Sequence, residues 1–166
     1  YLMDLGDLYF DMNKYKPAAQ VFRKVLDIDP DNSVAQTSLI TAIEQSGGDP
    51  LAILQTRWQN NPNNPTYGLE YAEALFKRGN FEDARDAFHQ VTELDPENMR
   101  AWNRLARTYE NLEQPAQAID SYQSILDQNP DRKDIIADIS GLYLEMNEFQ
   151  QAMEWANRAI NTGSKN

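Results

Sequence analysis

The 166-residue sequence predicts an all-α fold, a solenoid of about five helix-turn-helix units stacked along one axis. Three observations carry that expectation. First, residues 65–132 contain one 34-residue pattern written twice. Tyr71, Ala72, Leu75, Gly79, Phe81, Ala84, Phe88, Val91 and Pro96 in one copy are answered by Trp102, Leu105, Ala106, Tyr109, Ala118, Tyr122, Ile125 and Pro130 in the other. Second, these small and aromatic positions fall at helical spacing, so they line one face of two successive helices. Third, proline closes each copy. A fixed period of this length marks a chain of helix pairs in which no unit buries its apolar face alone and each depends on its neighbours.

Placing the turn proline near the end of each unit divides the chain into 1–32, 33–64, 65–98, 99–132 and 133–166, one solenoid domain with no linker. The first unit carries Leu2, Leu5, Gly6, Tyr9, Tyr15, Ala18, Phe22, Val25 and Pro30 in place. It opens on Tyr1 inside a helical pattern and without an initiator methionine, which reads as a fragment of a longer protein.

The second unit is degenerate. Leu39, Ile43, Gly47 and Ala52 are kept, but Asp49 stands where the aromatic belongs, and Ala52 lies ten residues before Pro62 whereas Ala18 lies twelve before Pro30. Removing two residues inside a helix would rotate the remainder of that helix by roughly 200°. The loss is therefore expected at the end of the second helix or in its turn, within Asn60-Asn61-Pro62-Asn63-Asn64-Pro65, where asparagine accepts turn geometry and proline stops helices. Asp49-Pro50 reads as an N-cap followed by proline in the first helical turn. A local irregularity of superhelical pitch is expected here.

The third and fourth units are the two regular copies. The fifth keeps Ile136, Ile139, Ser140, Tyr143, Phe149, Ala152 and Ala159, with Ser164 at the proline position. Ala18, Ala52, Ala84, Ala118 and Ala152, facing small residues at 6, 72, 106 and 140, let paired helices approach closely while aromatics fill the adjoining space. Ile40 breaks the small-residue series. Asp-Pro or Asn-Pro at 29–30, 95–96 and 129–130 ends each second helix, because proline disfavours helical geometry in the residue before it.

Composition narrows the function. Without cysteine the chain has no thiol nucleophile, disulfide or thiolate ligand. A formal charge of −11 repels phosphate backbones and anionic lipid heads, so nucleic acid and membrane surfaces are poor partners and basic ones are favoured. No apolar run approaches the roughly 18 residues of a membrane span, so the chain is expected to be soluble, with the cytoplasm favoured over other compartments. Asp27, Asp29 and Asp31 imitate the start of a calcium loop. Asn32 and Ser38 stand where that loop needs its glycine and bidentate glutamate, so an acidic turn is the expected reading. His89 is the single histidine and sits away from core positions, and no acid, base and nucleophile can be assembled around it. Neither an enzyme nor a cofactor or metal site is expected.

The large-x2-large-small-x2-Tyr, Ala-x3-aromatic and Pro pattern resembles the tetratricopeptide repeat family over the whole chain. The resemblance implies a right-handed superhelix whose first helices line a concave groove that holds a peptide or helix of a protein partner. On that stripe fall Thr37, Thr41, Leu69, Glu70, Glu73, Phe76, Arg100, Asn103, Arg104, Arg107 and Asp138. Chaperone-binding members grip a C-terminal carboxylate with Lys and Asn of one unit, Asn of the next, and Lys and Arg of the third. Arg100 and Arg104 match the last two, but Thr37, Thr41 and Glu70 replace the others, so the full clamp is rejected and an anion spot kept.

Arg100, Arg104 and Arg107 share one helix face and depart most from the chain's negative field. Arginine's fork suits carboxylate or phosphate. The competing reading is a brace, in which Glu70, Arg104 and Asp138 form one ladder and Glu73 lies beside Arg107. A structural alternative to peptide binding is self-assembly through open solenoid ends, with Met153, Trp155 and Ile160 left partly bare on the last helix.

Overall fold

The computed structural model describes residues 1–162; the Ser164 position lies outside them. Ten α-helices and no strand are present among the described residues. They are α1 (Leu2–Asp11), α2 (Tyr15–Ile28), α3 (Ser33–Gln45), α4 (Leu51–Asn60), α5 (Pro65–Lys77), α6 (Phe81–Leu94), α7 (Met99–Asn111), α8 (Pro115–Gln128), α9 (Lys133–Glu145) and α10 (Phe149–Asn161). They form two compact units, Tyr1–Asn61 and the part from Pro62 onward. The division falls inside the Asn-Pro stretch that joins the degenerate unit to the first regular one.

In the first unit α1 packs on α2 and α2 on α3. Ala18 and Phe22 are fully buried, and a Cβ at Gly6 would run into the Phe22 ring. In the second unit each helix from α5 to α10 packs on the next. Ala72, Ala84, Ala106 and Ala118 have no exposed surface, as close helix approach requires. Ser140 uses its hydroxyl at the same contact, donating to the Ala152 carbonyl at 2.8 Å. Ala106, Ala118, Tyr122, Ile135 and Ile139 belong to one cluster against which Trp102, Tyr143 and Trp155 rest.

The turns repeat as strictly as the core. Asn13, Gly47, Gly79, Glu113 and Asn147, one per unit, take positive φ of 57°, 73°, 78°, 56° and 61°. The next residue's N–H then returns to a carbonyl five residues back, at 2.8 to 3.1 Å in Lys14→Tyr9, Gly48→Ile43, Asn80→Leu75, Gln114→Tyr109 and Glu148→Tyr143. This is a left-handed helix stop that satisfies carbonyls the helix leaves open. The turn prolines contribute acceptors: the Pro30 carbonyl receives Gln36, Pro96 receives Trp102 and Gln128, and Pro130 receives Arg158. Asn32, Asn64 and Asn98 cap the following first helices. Asn32 also donates to Asp29, so the acidic turn at 27–31 is built around a helix cap.

The degenerate pair departs from expectation. Ala52 is exposed, and α3 and α4 meet only slightly. Two departures of sequence coincide with this: branched Ile40 stands where the other units have Gly6, Ala72, Ala106 and Ser140, and Asp49 stands where they have an aromatic. α4 has ten residues where α2, α6 and α8 have fourteen. It begins at Leu51, so Pro50 is the N-cap rather than a first-turn residue, although Asp49 still caps the Leu51 N–H at 3.0 Å.

One aromatic expectation also changes. Phe149, unlike Phe81, is 64% exposed, whereas Trp155 lies against the core cluster with Arg158 over its ring at 4.9 Å. The bare apolar surface on α10 is therefore Phe149, Met153 and Ile160.

Candidate functional site

Each groove residue named from the sequence lies on a first helix, but the structure gathers only some of them. Thr37 and Thr41 belong to α3 in the first unit, where their hydroxyls donate to the Ser33 and Thr37 carbonyls and Arg57 approaches the Thr37 hydroxyl at 3.5 Å. The others belong to the second unit. Leu69 and Glu70 are part-buried on α5, and Glu73 follows one turn later.

Glu73 is the hinge of the arrangement. Its two carboxylate oxygens accept from Nε and one terminal nitrogen of Arg100 at 2.8 and 2.7 Å, a two-point fork, and Arg104 Nε reaches the same carboxylate at 3.4 Å. The glutamate side chain is 16% exposed, against 64% for Arg100. Arg104 also lies over the Phe76 ring at 5.9 Å, and Phe76 is held edge-on by Phe81 at 5.3 Å. Guanidinium, carboxylate and ring therefore fix one another's positions, with the charge-assisted fork as the strongest element.

The pairing differs from the ladder read from the sequence, in which Glu73 stood beside Arg107. Glu73 is the ninth residue of α5 and Arg100 the second of α7, so the first helices of successive units do not stack level. Arg107 acts on Asp138 instead. Partial loss of water raises the Asp138 carboxyl above its ordinary 3.8, Arg107 opposes that shift and Asp134 adds to it. Arg132, unremarked in the sequence, forms a two-point pair with Asp134 at 2.8 and 2.6 Å.

Arg100, Asn103, Arg104, Arg107, Arg132 and Asp134 line one open cavity of about 490 Å³ in the second unit. Four guanidiniums around one space in a chain of −11 create a local positive field, partly answered by Glu73, Asp134 and Asp138. Guanidiniums grouped in this way have the donors that a carboxylate or phosphate would need. The signal for Arg132 was present in the sequence, at the turn before α9, but that turn lies outside the first-helix stripe on which the groove was expected. His89 lies exposed on α6, 3.6 Å from Glu93. No helix among the described residues is long and apolar enough to cross a membrane.

Models of the tetratricopeptide repeat match residues 1–32, 69–133 and 112–166. RNA polymerase II-associated protein 3 from Mus musculus is 32% identical over 122 residues, covering 67% of this chain. The match spans 17% of that protein. Small glutamine-rich tetratricopeptide repeat-containing protein 2 from Mycosarcoma maydis is 26% identical over 110 residues, 64% of this chain and 31% of its own length. Among solved structures, a crystal structure of MamA protein superposes with a TM-score of 0.82 at 20% identity, covering 99% of this chain and 91% of that one. Pseudomonas aeruginosa pilF gives 0.66 at 21% identity, covering 99% and 76%. At such identity these structural likenesses bear on the fold alone.

Proposed function

Because this chain belongs to the tetratricopeptide repeat family, we propose that it is a non-catalytic protein-interaction scaffold, whose first helices hold an extended peptide or helix of a protein partner. The observation that carries the reading is the guanidinium-lined cavity of the second unit, set in an otherwise acidic chain. Its ligand is an acidic side chain or a free C-terminus of the partner. Arg100 and Arg107 are exposed, and Phe76, under the Arg104 guanidinium, offers apolar contact. Glu70, Asn103 and Asp138 complete the proposed surface. The test is titration of an acidic peptide library at low salt against the parent chain and the Arg100→Ala, Arg104→Ala double variant. Affinity should fall about tenfold or more for the variant and become less salt-dependent. Unchanged affinity would remove the cluster from the site.

A second reading, homo-oligomerisation through the ends, is favoured by one observation. Phe149, Met153 and Ile160 on α10 stand 64%, 62% and 70% exposed. Sedimentation should then show mass rising with concentration and Met153→Glu suppressing it; a strict monomer at high concentration would sink this reading.

A further inference from the structure

The cavity of about 490 Å³ in the second unit holds more donors than its own carboxylates use. Glu73 takes Nε and one terminal nitrogen of Arg100, and Asp134 takes the same pair of atoms from Arg132. The other terminal nitrogen of each arginine keeps its N–H donors. Arg104 gives only Nε to Glu73, at 3.4 Å. The Arg107 guanidinium and the Asn103 amide, on the same wall, have no hydrogen bond among the described residues, and Asp138 influences Arg107 by charge without bonding it.

These donors come from two elements. Arg100, Asn103, Arg104 and Arg107 belong to α7, whereas Arg132 is the N-cap residue of α9. A carboxylate has two oxygens in one plane, and one guanidinium edge satisfies it, as Asp134 shows with Arg132. A phosphate monoester presents three terminal oxygens in tetrahedral directions and about 1.5–2 negative charges, so it can draw on several guanidiniums at once.

We infer that this cavity reads a phosphorylated side chain of the partner peptide, with Arg107 as its principal contact and Asn103, Arg104 and Arg132 around it. This ligand is a narrower case of the acidic partner proposed for the groove, and it stands only if that groove binds peptide.

The probes are three versions of one random-flank peptide library, with phosphoserine, glutamate or serine at the central position. The best phosphoserine sequences and their glutamate and serine counterparts are then titrated singly by calorimetry. Phosphoserine should bind at least about tenfold more tightly than glutamate. Arg107→Ala and Arg132→Ala should each cut that advantage to about threefold or less with an unchanged circular dichroism spectrum, whereas Arg23→Ala, at an exposed cation of α2, should preserve it. Glutamate binding as tightly as phosphoserine would overturn the phosphate class and leave the acidic-peptide reading standing; binding of none of the three would overturn both. An advantage that survives both Arg107→Ala and Arg132→Ala would overturn the assignment to this cavity. Inorganic phosphate binding as tightly as the phosphopeptide would overturn the peptide as its source.

Discussion

Glu113→Gly should stabilise the protein. Glu113 occupies the left-handed turn between α7 and α8 at φ 56°, its side chain is exposed, and its counterparts in two other units are Gly47 and Gly79. A left-handed conformation costs an L-residue about 1–2 kcal/mol relative to glycine. Glycine gives back about 0.4–1 kcal/mol through its greater freedom in the unfolded chain. The difference is a net gain of about 0.5–1 kcal/mol, since the substitution removes no packing. For a chain of this size that corresponds to a rise of about 1–4 °C in Tm, read from thermal melts followed by circular dichroism. The reciprocal change, Gly79→Ala at φ 78°, should lower Tm by a similar or larger amount. Should Glu113→Gly lower Tm and Gly79→Ala raise it, helix propensity rather than turn geometry governs these positions and the reasoning fails.

Ala118→Leu should cost about 1–3 kcal/mol by overpacking the contact between α7 and α8, where Ala118 has no exposed surface; an unchanged melt would mean the packing is misread. Tyr122→Phe removes a 2.7 Å bond from a buried phenol to the Glu110 carboxylate and should cost about 1–2 kcal/mol in urea unfolding. Burial, and then the bond to Glu110, raises the Tyr122 phenol above its ordinary 10.0. The unfolded chain releases that proton first, so this stabilisation is whole below about pH 10 and is lost as pH climbs further; the variant should show a flatter alkaline limb. Glu73→Gln frees Arg100 and Arg104 from an internal carboxylate and should strengthen acidic-peptide binding severalfold in titration calorimetry, at a loss of about 1 kcal/mol or less in stability; weaker binding would mean Glu73 positions the arginines instead.

The helices were legible because their signal is redundant. Ala84 and Ala118 are fully buried where the repeat places them, and Asn32, Asn64 and Asn98 cap where the turn prolines say a helix restarts. The left-handed stops were only half visible: Gly47 and Gly79 announce them, whereas Asn13, Glu113 and Asn147 adopt the same backbone under residues that do not require it. In the degenerate pair both deviations could be read, Ile40 and the missing two residues, but not how they combine. A period gives spacing along the chain, whereas how closely α4 approaches α3 depends on packing across it. The arginine cluster was found from charge, yet its partner was misassigned, because sequence rows align equivalent positions and successive helices are offset along their axes. Arg132 shows the same limit, contributing from a turn to a surface expected on helices alone.

The thin contact between α3 and α4 also bears on how the first unit comes apart. In an array of repeats, cooperativity is passed from neighbour to neighbour through each interface. From α1 through α2 to α3 that transmission is continuous, since each helix is packed on the next; between α3 and α4 it is weak. Opening of α4 takes Ile53 from the edge of the cluster that holds Phe22, Leu39 and Ile43 but leaves the α1–α3 packing in place, so that core should stay protected while α4 exchanges its amide protons. By this packing α4 is expected to open with a free energy of its own, below that of α1–α3.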